Sequence, residues 1–554
     1  LAVLTQKDGH FFLRASHTPK FSSIASRIGG REAPNGYTFP TLMMMYDQLL
    51  DAIPGLRVDG ISFPNARGFP FVDAGQDAHP KWNMLRSYQR ETVDFLISSP
   101  LPGALVELSP GLGKSPITAI AADVLGYENV LIVAVKSLRR NWEREVLAWT
   151  GRQAHIRFQE GPAESGWTIT NYDTLVGFYK RAHPQDRTDR ETGEVIPAPL
   201  AQPDPYNRKW DLVLIDESVL VKNRKALRTK VLRSLRSKAH RIWCLSGSPT
   251  TRYADDLWSQ LNLCWPQGFS SYWRFANQFC HVDEGVWGTR VVASRDDIDY
   301  AVTLRDVMIS YNQKDVLDLP PILHEKVDLD MTAEQARVYD EFMREFVAEL
   351  ESGKVMTVPN RMARLLRLQQ VVSNLANIEG GDHSAKADAV LELIEARHVS
   401  FPLLIWVNWL PGAHALYSRL TAPRFCKEND IRVGIATGSE NDNEATVEVY
   451  KRGDINVLLL SLGVGKYGFT LTNTNSVIYV DRTFDGDAYY QSLHRIERFG
   501  LDHSVQVVTL RHPGTVEEFE VENNLAGKMA TVSLVTEADL SKLLRSLGRD
   551  TNGG

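Results

Sequence analysis

The sequence predicts an α/β protein of two parallel-sheet lobes, with helical insertions and a small N-terminal α+β module. From Leu85 onward, apolar runs of strand length alternate with amphipathic segments of helix length, the pattern of parallel strands covered by helices. The alternation occurs twice. It runs first through Val130–Val135, Trp167–Thr170, Leu212–Ile215 and Ile242–Leu245, then through Leu403–Trp406, Val433–Ala436, Asn456–Leu460, Ser476–Val480 and Ser504–Val508. At 554 residues the chain also exceeds one ordinary core and calls for several domains.

With 43% hydrophobic and 23% charged residues the composition is that of a globular chain. No apolar run reaches the ~18 residues of a membrane span; Pro402–Val407 is strand-sized. The N-terminus lacks a charged-then-apolar secretory pattern, which points to the cytoplasm or nucleoid, or to the nucleus for a eukaryotic source. Cys244, Cys264, Cys280 and Cys426 form no C-x-x-C pair and read as reduced, packed thiols rather than zinc ligands. A net charge of −6 argues against binding nucleic acid by global basicity. The local cluster Lys136-Ser-Leu-Arg-Arg-Asn-Trp142 remains a candidate basic groove or a solvated helix face.

In chain order, residues 1–58 read as the small module: an extended His10–Arg14, a helical Phe21–Ile28, Tyr37–Pro40, then a helix over 41–53 ended by Pro54-Gly55. Residues 59–84 are rich in glycine and proline and read as a linker. The first lobe is expected over 85–275, a helical region over 276–385, the second lobe over 386–535 and a tail over 536–554. In the helical region Thr332-x-x-Gln335 reads as a capping box, followed by Tyr339, Phe342, Phe346 and Leu350 on one face.

The chemistry centres on Pro110-Gly-Leu-Gly-Lys-Ser115, between the apolar Ala104-Leu-Val and the helical Ile117–Leu125. Strand, glycine loop and helix make a phosphate cradle. Gly111 and Gly113 let backbone amides turn inward, the helix start adds positive charge, Lys114 reaches the phosphates and Ser115 can hold Mg²⁺. The strict eight-residue pattern fails at Leu108, which leaves a glycine turn with an exposed lysine as the alternative. Asp216-Glu217 follows the strand Leu212–Ile215, where parallel sheets bind ligands. Asp216 can hold the metal and Glu217 can deprotonate water; such acidic pairs also serve as helix caps. Ser246-Gly-Ser-Pro249 follows another buried strand and can sense the carboxylates, or be only a turn. In the second lobe, Gln491-Ser-Leu-His-Arg495-Ile-Glu-Arg498 places two arginines three apart on a helix face, to stabilise transferred phosphoryl charge or to pair on the surface.

Together these stretches resemble the motifs of superfamily-two helicases, and specifically the Swi/Snf-type DNA-dependent ATPases, over about residues 85 to 530. Leu85-Arg-Ser-Tyr-Gln89 looks like the adenine-reading glutamine motif, with Arg86 and Gln89 as its carriers, and Gly111–Ser115 is similar to motif I. Leu131–Trp142 and Thr168–Leu175 resemble motif Ia and the strand-and-turn motif after it, Asp216-Glu-Ser-Val motif II, and Leu245–Pro249 motif III. Gly465-Lys-Tyr-Gly468-Phe-Thr-Leu471 resembles motif V and Gln491–Gly500 motif VI. Glu497 stands where the family usually carries histidine, Leu501 where it carries glutamine, and Ser310-Tyr-Asn312 replaces an arginine-rich turn, marking a divergent branch. The order of elements in 1–58 is similar to the HARP module of annealing helicases.

The resemblance implies two RecA-like lobes of a P-loop NTPase that bind ATP and Mg²⁺ and move on double-stranded or branched DNA without sequence preference and without a membrane. It implies nucleotide contacts from Arg86, Gln89, Pro110, Gly111, Leu112, Gly113, Lys114, Ser115 and Gly468, with Mg²⁺ held by Ser115 and Asp216. Catalysis would involve Lys114, Asp216, Glu217, Gln491, Arg495 and Arg498. DNA would be held near Lys136, Ser137, Thr170, Thr437, Gly438 and Thr470. A non-hydrolysing DNA-binding scaffold and an RNA-directed helicase are the alternatives.

Overall fold

The computed structural model describes residues 2–59 except 8–9, 16–17, 29–30, 41–48, 50–51 and 54–55, and residues 79–517 except 158–160, 185–186, 189–194, 197–199, 251–252, 286–287, 299, 352–357, 439–442, 466–468, 482–485 and 498–500. Most of the helix expected over 41–53, most of the linker and the whole tail therefore lie outside the described residues. The chain divides into two compact units, Leu1–Val316 and Leu317–Gly554. Among the described residues no helix is long and apolar enough to cross a membrane.

The N-terminal module is a five-stranded sheet in the order β3-β4-β2-β1-β5, made of β1 (Val3–Lys7), β2 (His10–Arg14), β3 (Arg31–Ala33), β4 (Gly36–Pro40) and β5 (Arg57–Asp59). Alternate residues line one face, so Leu4, Phe11, Leu13 and Tyr37 are fully buried. The helix Pro19–Ile28 contributes Ile24 and Ala25 to the core, and its Ser22 Oγ meets Tyr37 Oη at 2.8 Å.

The first lobe is an all-parallel, seven-stranded sheet in the order β16-β6-β13-β12-β7-β9-β8. Its strands are β6 (Gly103–Leu108), β7 (Val130–Ala134), β8 (Ala154–Ile156), β9 (Trp167–Asn171), β12 (Trp210–Ile215), β13 (Ala239–Ser246) and β16 (Met308–Tyr311). Every residue of β7 and β9 is buried; β7 accordingly reads as an unbroken apolar run, whereas β9 buries Thr168, Thr170 and Asn171 along with Trp167 and Ile169. At Gly103 a Cβ would lie 2.3 Å from Ile242 O and 2.7 Å from Cys264 Cα, so only glycine lets β6 start beneath the end of the helix Asp256–Cys264. Two ribbons lie outside this sheet, β10 (Arg187–Thr188) with β11 (Val195–Ile196), and β14 (Cys280–Gly285) with β15 (Gly288–Ser294).

The second unit holds a six-stranded parallel sheet in the order β17-β22-β21-β18-β20-β19. The strands are β17 (Ile322–Asp328), β18 (Leu403–Val407), β19 (Val433–Ala436), β20 (Val457–Ser461), β21 (Ser476–Tyr479) and β22 (Val505–Arg511). Leu403, Ile405 and Val407 enter one core layer and Leu404 and Trp406 the other, so both faces are covered. The capping box forms, with Gln335 N donating to Thr332 Oγ1 at 3.2 Å and Thr332 N to Gln335 Oε1 at 3.4 Å. Tyr339 and Phe346 pack with Leu365, Leu368 and Val371 of the next helix; the Leu350 side chain lies outside the described residues.

Among the described residues the region expected to be helical over 276–385 contains four strands, and the boundary between the units falls inside it, after Val316. Met308-Ile-Ser-Tyr311 is too short to show a period and becomes a strand by pairing with β6 from Leu105 to Leu108. β17 is an edge strand with Leu323 58% exposed, and its polar pattern hides it in the sequence.

One buried ionic cluster joins distant parts of the second lobe. Lys386 is fully buried; its Nζ donates to Val480 O at 2.9 Å and pairs with the Glu517 carboxylate. Asp481, at the end of β21, accepts from Asn408 N at 2.9 Å, and burial raises its pKa against the opposing charge of Lys386. Glu517 also accepts from His512 N at 2.9 Å, so the start of the helix Ala385–Glu395, the end of β21 and the segment after β22 share one lysine. Lys386→Met leaves buried carboxylates without their cation and is expected to cost about 3–5 kcal/mol, read from the urea unfolding midpoint. The deficit should be largest at neutral pH and shrink on acidification. A raised folded-state value for Asp481 means that the folded chain binds the proton first, so protonation relieves the uncompensated charge.

Candidate functional site

The parallel register sets Glu107 of β6 beside Ser246 of β13, and Ile215 of β12 beside Cys244, so the segments that leave these three strands emerge at one sheet edge. The loop after β6 turns through Gly111 at φ 87° and Gly113 at φ 84°, left-handed conformations that favour glycine, and the helix Lys114–Val124 starts directly behind it. Lys114 Nζ donates to Leu108 O at 2.8 Å, and Ser115 is half-buried in the first turn. Pro110 and Gly111 lie at the outer part of the loop, whereas Leu112 is fully buried.

The helix Ser87–Ser98 braces this loop. Gln89 Nε2 and Tyr88 Oη both donate to Leu112 O, at 3.1 and 3.2 Å, while Gln89 Oε1 accepts from Arg86 N at 2.9 Å. Gln89 is thus brought to the phosphate loop, with the Arg86 backbone holding its other end. From the other side Ser109 N donates to Tyr311 O and Ser109 Oγ accepts from Gln313 N, each at 3.2 Å. β16 therefore anchors the loop. Its Ser310 Oγ donates to Glu107 Oε2 at 2.7 Å, and burial holds the Glu107 pKa up.

Asp216 is 5% exposed at the end of β12. Its Oδ2 accepts from Trp142 Nε1 at 2.7 Å, its Oδ1 from Glu217 N at 3.0 Å, and its carbonyl from Tyr172 Oη at 2.5 Å. Burial raises its pKa; the Trp142 hydrogen bond, the charge of Lys114 and the Glu217 amide oppose that shift. The effect of Lys114 on Asp216 places the phosphate-loop lysine and the acidic pair in one electrostatic neighbourhood. Glu217 sits at φ 49°, ψ 52°, a left-handed conformation that costs a non-glycine residue about 1–3 kcal/mol and is common at functional sites. The Ser115 hydroxyl and the Asp216 carboxylate are hard oxygen donors of the kind that suit Mg²⁺, and Lys114 with the open glycine loop suits a polyphosphate.

The turn Ser246–Pro249 closes this group. A Cβ at Gly247 would lie 3.2 Å from Pro110 and 3.6 Å from Lys114 Nζ, so the turn packs directly on the phosphate loop. Ser218 Oγ donates to Gln260 Oε1 at 2.6 Å and Gln260 Nε2 to Pro249 O at 2.7 Å, a fully buried bridge from the acidic pair to the turn. Gln260 was missed in the sequence, although a lone glutamine amid Leu257, Trp258, Leu261 and Leu263 was a signal of a buried polar link. Trp142 and Tyr172 lay within recognised motifs, but no local pattern showed that they reach Asp216.

In the second unit, Gln491 lies on the helix Gly486–Leu493. Arg495 does not share that helix: it lies in the turn beyond, 6% exposed, with its carbonyl committed to Leu471 N at 2.8 Å, which corrects the expectation of two arginines on one helical face. His494 and Glu497 approach to 3.4 Å, and Ser492 Oγ meets Tyr479 Oη at 2.6 Å, fixing the segment to β21. Arg498 and Gly468 lie outside the described residues.

Of the residues expected near DNA, Lys136 is exposed, Ser137 is half-buried with its Oγ lacking a hydrogen-bond partner, Gly438 is exposed and Thr470 half-buried. Thr170 and Thr437 are fully buried. Thr170 Oγ1 is spent on Arg157 O at 3.3 Å and on Tyr206 Oη at 3.2 Å, so it faces the interior rather than a phosphate, because it points into the sheet's covered face.

Comparison with known proteins adds a family. The model of the SNF2-related domain matches residues 76–377 and that of the helicase conserved C-terminal domain residues 385–500. The chain is 24% identical over 423 residues to the DNA annealing helicase and endonuclease ZRANB3 of Bos taurus, covering 74% of this chain and 36% of that protein. It is 22% identical over 482 residues to the SWI/SNF-related matrix-associated actin-dependent regulator of chromatin subfamily A member 1 of Homo sapiens, covering 80% of this chain and 43% of that one. The chain thus spans less than half the length of these relatives. A solved Sulfolobus solfataricus SWI2/SNF2 ATPase core in complex with dsDNA aligns at 20% identity over 89% of this chain and 100% of that one, with a TM-score of 0.35, too low for a part-by-part comparison.

A Cβ at Gly113 would meet Gln89 Nε2 at 2.6 Å on a backbone that disfavours it. Gly113→Ala is expected to lower unfolding stability by about 1–3 kcal/mol in urea titration. Gly463→Ala, where a Cβ meets nothing within 4 Å, should stay within about 0.5 kcal/mol of the unsubstituted chain.

Proposed function

The chain belongs to the SNF2-related family of helicase-like ATPases, and on that premise we propose that it is an ATP-dependent motor that moves along double-stranded DNA and remodels or rewinds branched DNA. The observation that carries the reading is the convergence of Lys114, the Asp216-Glu217 pair and the Ser246–Pro249 turn at one edge of a parallel sheet. Phosphoryl transfer needs positioning and charge stabilisation more than covalent chemistry, and this edge supplies both. Bound Mg²⁺ would neutralise charge on the phosphates, held by Ser115 and Asp216. Lys114 leaves its Leu108 carbonyl to take a phosphate oxygen. Gln89, its Oε1 held by Arg86 N and its Nε2 by Leu112 O, would offer adenine the one lone pair and the one N–H that these bonds leave over. Glu217, beside the metal-holding carboxylate, orients and deprotonates the attacking water.

Gln491, Arg495 and Arg498 of the second lobe would act on the charge that develops on the transferred group, and Gly468 would line the nucleotide. Lys136, Ser137, Gly438 and Thr470 would hold DNA through phosphates, which positions the duplex without reading its sequence. Thr170 and Thr437 would contribute through the segments they anchor. ZRANB3 is described as a DNA annealing helicase and endonuclease, and in this chain the five-stranded N-terminal module is our candidate for selecting branched DNA.

The variants separate binding from chemistry. Lys114→Ala is expected to lose nucleotide affinity and hydrolysis together. Glu217→Gln should retain ATP yet turn over about 10²–10⁴-fold more slowly in single-turnover assays; turnover at the unsubstituted rate would remove Glu217 from the role of base.

The substrate is tested by ATPase assays with duplex DNA, single-stranded DNA and RNA, together with rewinding of forked DNA. Duplex should stimulate most, and deletion of residues 1–58 should spare stimulation by plain duplex while impairing fork rewinding. Preferential stimulation by RNA, or DNA binding without any hydrolysis, would replace this reading with an RNA-directed helicase or a scaffold.

A further inference from the structure

Asp216 is held by two aromatic donors that come from two different elements. Trp142 Nε1 reaches its carboxylate at 2.7 Å from the helix Arg139–Thr150, and Tyr172 Oη reaches its carbonyl at 2.5 Å from the first position of the helix Tyr172–Ala182. Both side chains are nearly enclosed, at 1% and 6% exposure. Each lies on a helix that directly follows a segment proposed above to lie near DNA. The helix of Trp142 is entered directly from Lys136-Ser-Leu138, where Ser137 Oγ is buried without a partner. Tyr172 follows the β9 end at Thr170-Asn171. One covalent step therefore separates each DNA-side segment from a rigid helix, and one hydrogen bond separates that helix from the metal-holding residue.

We propose that Trp142 and Tyr172 are positioning residues that couple DNA occupancy to the metal–nucleotide site by setting the orientation of Asp216. The inference rests on the functional reading above. A hydrogen bond to a carboxylate is charge-assisted and gains strength in a low-dielectric interior, so the indole N–H selects one carboxylate orientation among several. The close-packed interior transmits a small displacement of the helix start to the ring rather than absorbing it. Duplex seated on Lys136 and Ser137 moves the donor; the donor turns the carboxylate; the carboxylate presents its remaining lone pairs to Mg²⁺ and its water shell. Tyr172 fixes the backbone on which that rotation takes place. Linkage requires the converse as well, so Mg²⁺–nucleotide must tighten duplex binding by the same factor.

The test uses the full chain and a non-hydrolysable ATP analogue. Its dissociation constant is measured with Mg²⁺, with and without a saturating short blunt duplex, and again in EDTA, alongside the duplex affinity and the melting temperature. In the unsubstituted chain duplex should tighten the Mg²⁺–nucleotide complex by about 5-fold or more. Trp142→Phe keeps the ring and removes the donor; it should bring that ratio close to one and weaken Mg²⁺ binding by about 10-fold, the usual effect of losing a partner that orients a metal ligand. Tyr172→Phe, which removes one hydroxyl, should lower the ratio in the same direction. Nucleotide affinity in EDTA and duplex affinity alone should stay near their unsubstituted values even where the lost packing lowers the melting temperature, whereas a purely structural role would move both affinities along with it. A folded Trp142→Phe or Tyr172→Phe chain with the full ratio overturns the proposal, as does an unsubstituted chain that binds both ligands without coupling. Should Trp142→Phe fail to fold, Tyr172→Phe decides. An unsubstituted chain that binds neither nucleotide nor duplex overturns the functional reading itself.

Discussion

A carboxylate buried at the end of a parallel strand sets the terms for the first lobe. Asp216 has little access to water, so its charge must be met by donors fixed around it or by a cation. The donors come from far along the chain: an indole from the helix after β7, a phenol from the end of β9, and the amide of its own neighbour. Lys114 adds a positive charge from the loop after β6. Because the indole, the phenol and the lysine each come from a different connection of the sheet, the site exists only when the strand order is complete. Stability of the sheet and readiness of the site are therefore the same property.

The neighbouring motifs are tied to this carboxylate by contacts of equal economy. Glu217 takes a left-handed backbone, Ser218 turns inward to Gln260, and Gln260 reaches Pro249 of the turn that packs on Pro110. The phosphate loop thus meets the turn by packing, and the turn meets the acidic pair through a buried polar bridge. Around the other side β16 pins the loop through Ser109, in the place where the family usually carries an arginine-rich turn. Ser310 there donates to Glu107, whose carboxyl pKa is pushed up by burial.

The second lobe solves a similar problem with a different device. Lys386 neutralises carboxylates that close the lobe, and the segment carrying Arg495 is held by Leu471 and by the Tyr479–Ser492 contact. Motif V and motif VI are thereby linked through a backbone hydrogen bond between Arg495 and Leu471. The arginine is placed by a turn rather than by helical periodicity, so its direction depends on the loop it leans on.

How much of this was legible in the sequence follows from the range of the interactions involved. The unbroken apolar runs of β7, β18 and Leu212–Ile215 of β12 are local consequences of burial on both faces, so the α/β class, the two lobes and these strands could be read directly. The glycine loop, Lys114, Ser115 and the Asp216-Glu217 pair were legible for the same reason: their chemistry demands particular residues at fixed short spacing. β16 and β17 were not, because a short or polar edge strand becomes a strand only through its neighbour. Thr170 and Thr437 were expected near DNA, yet both are fully buried, a placement that residue type does not encode. By itself, then, the sequence determined which elements form and which side chains can do chemistry. Only the tertiary structure decided that Trp142, Tyr172 and Gln260 meet at the acidic pair and that Lys386 stands among buried carboxylates, because those meetings depend on strand order and register over tens to hundreds of residues rather than on any local pattern.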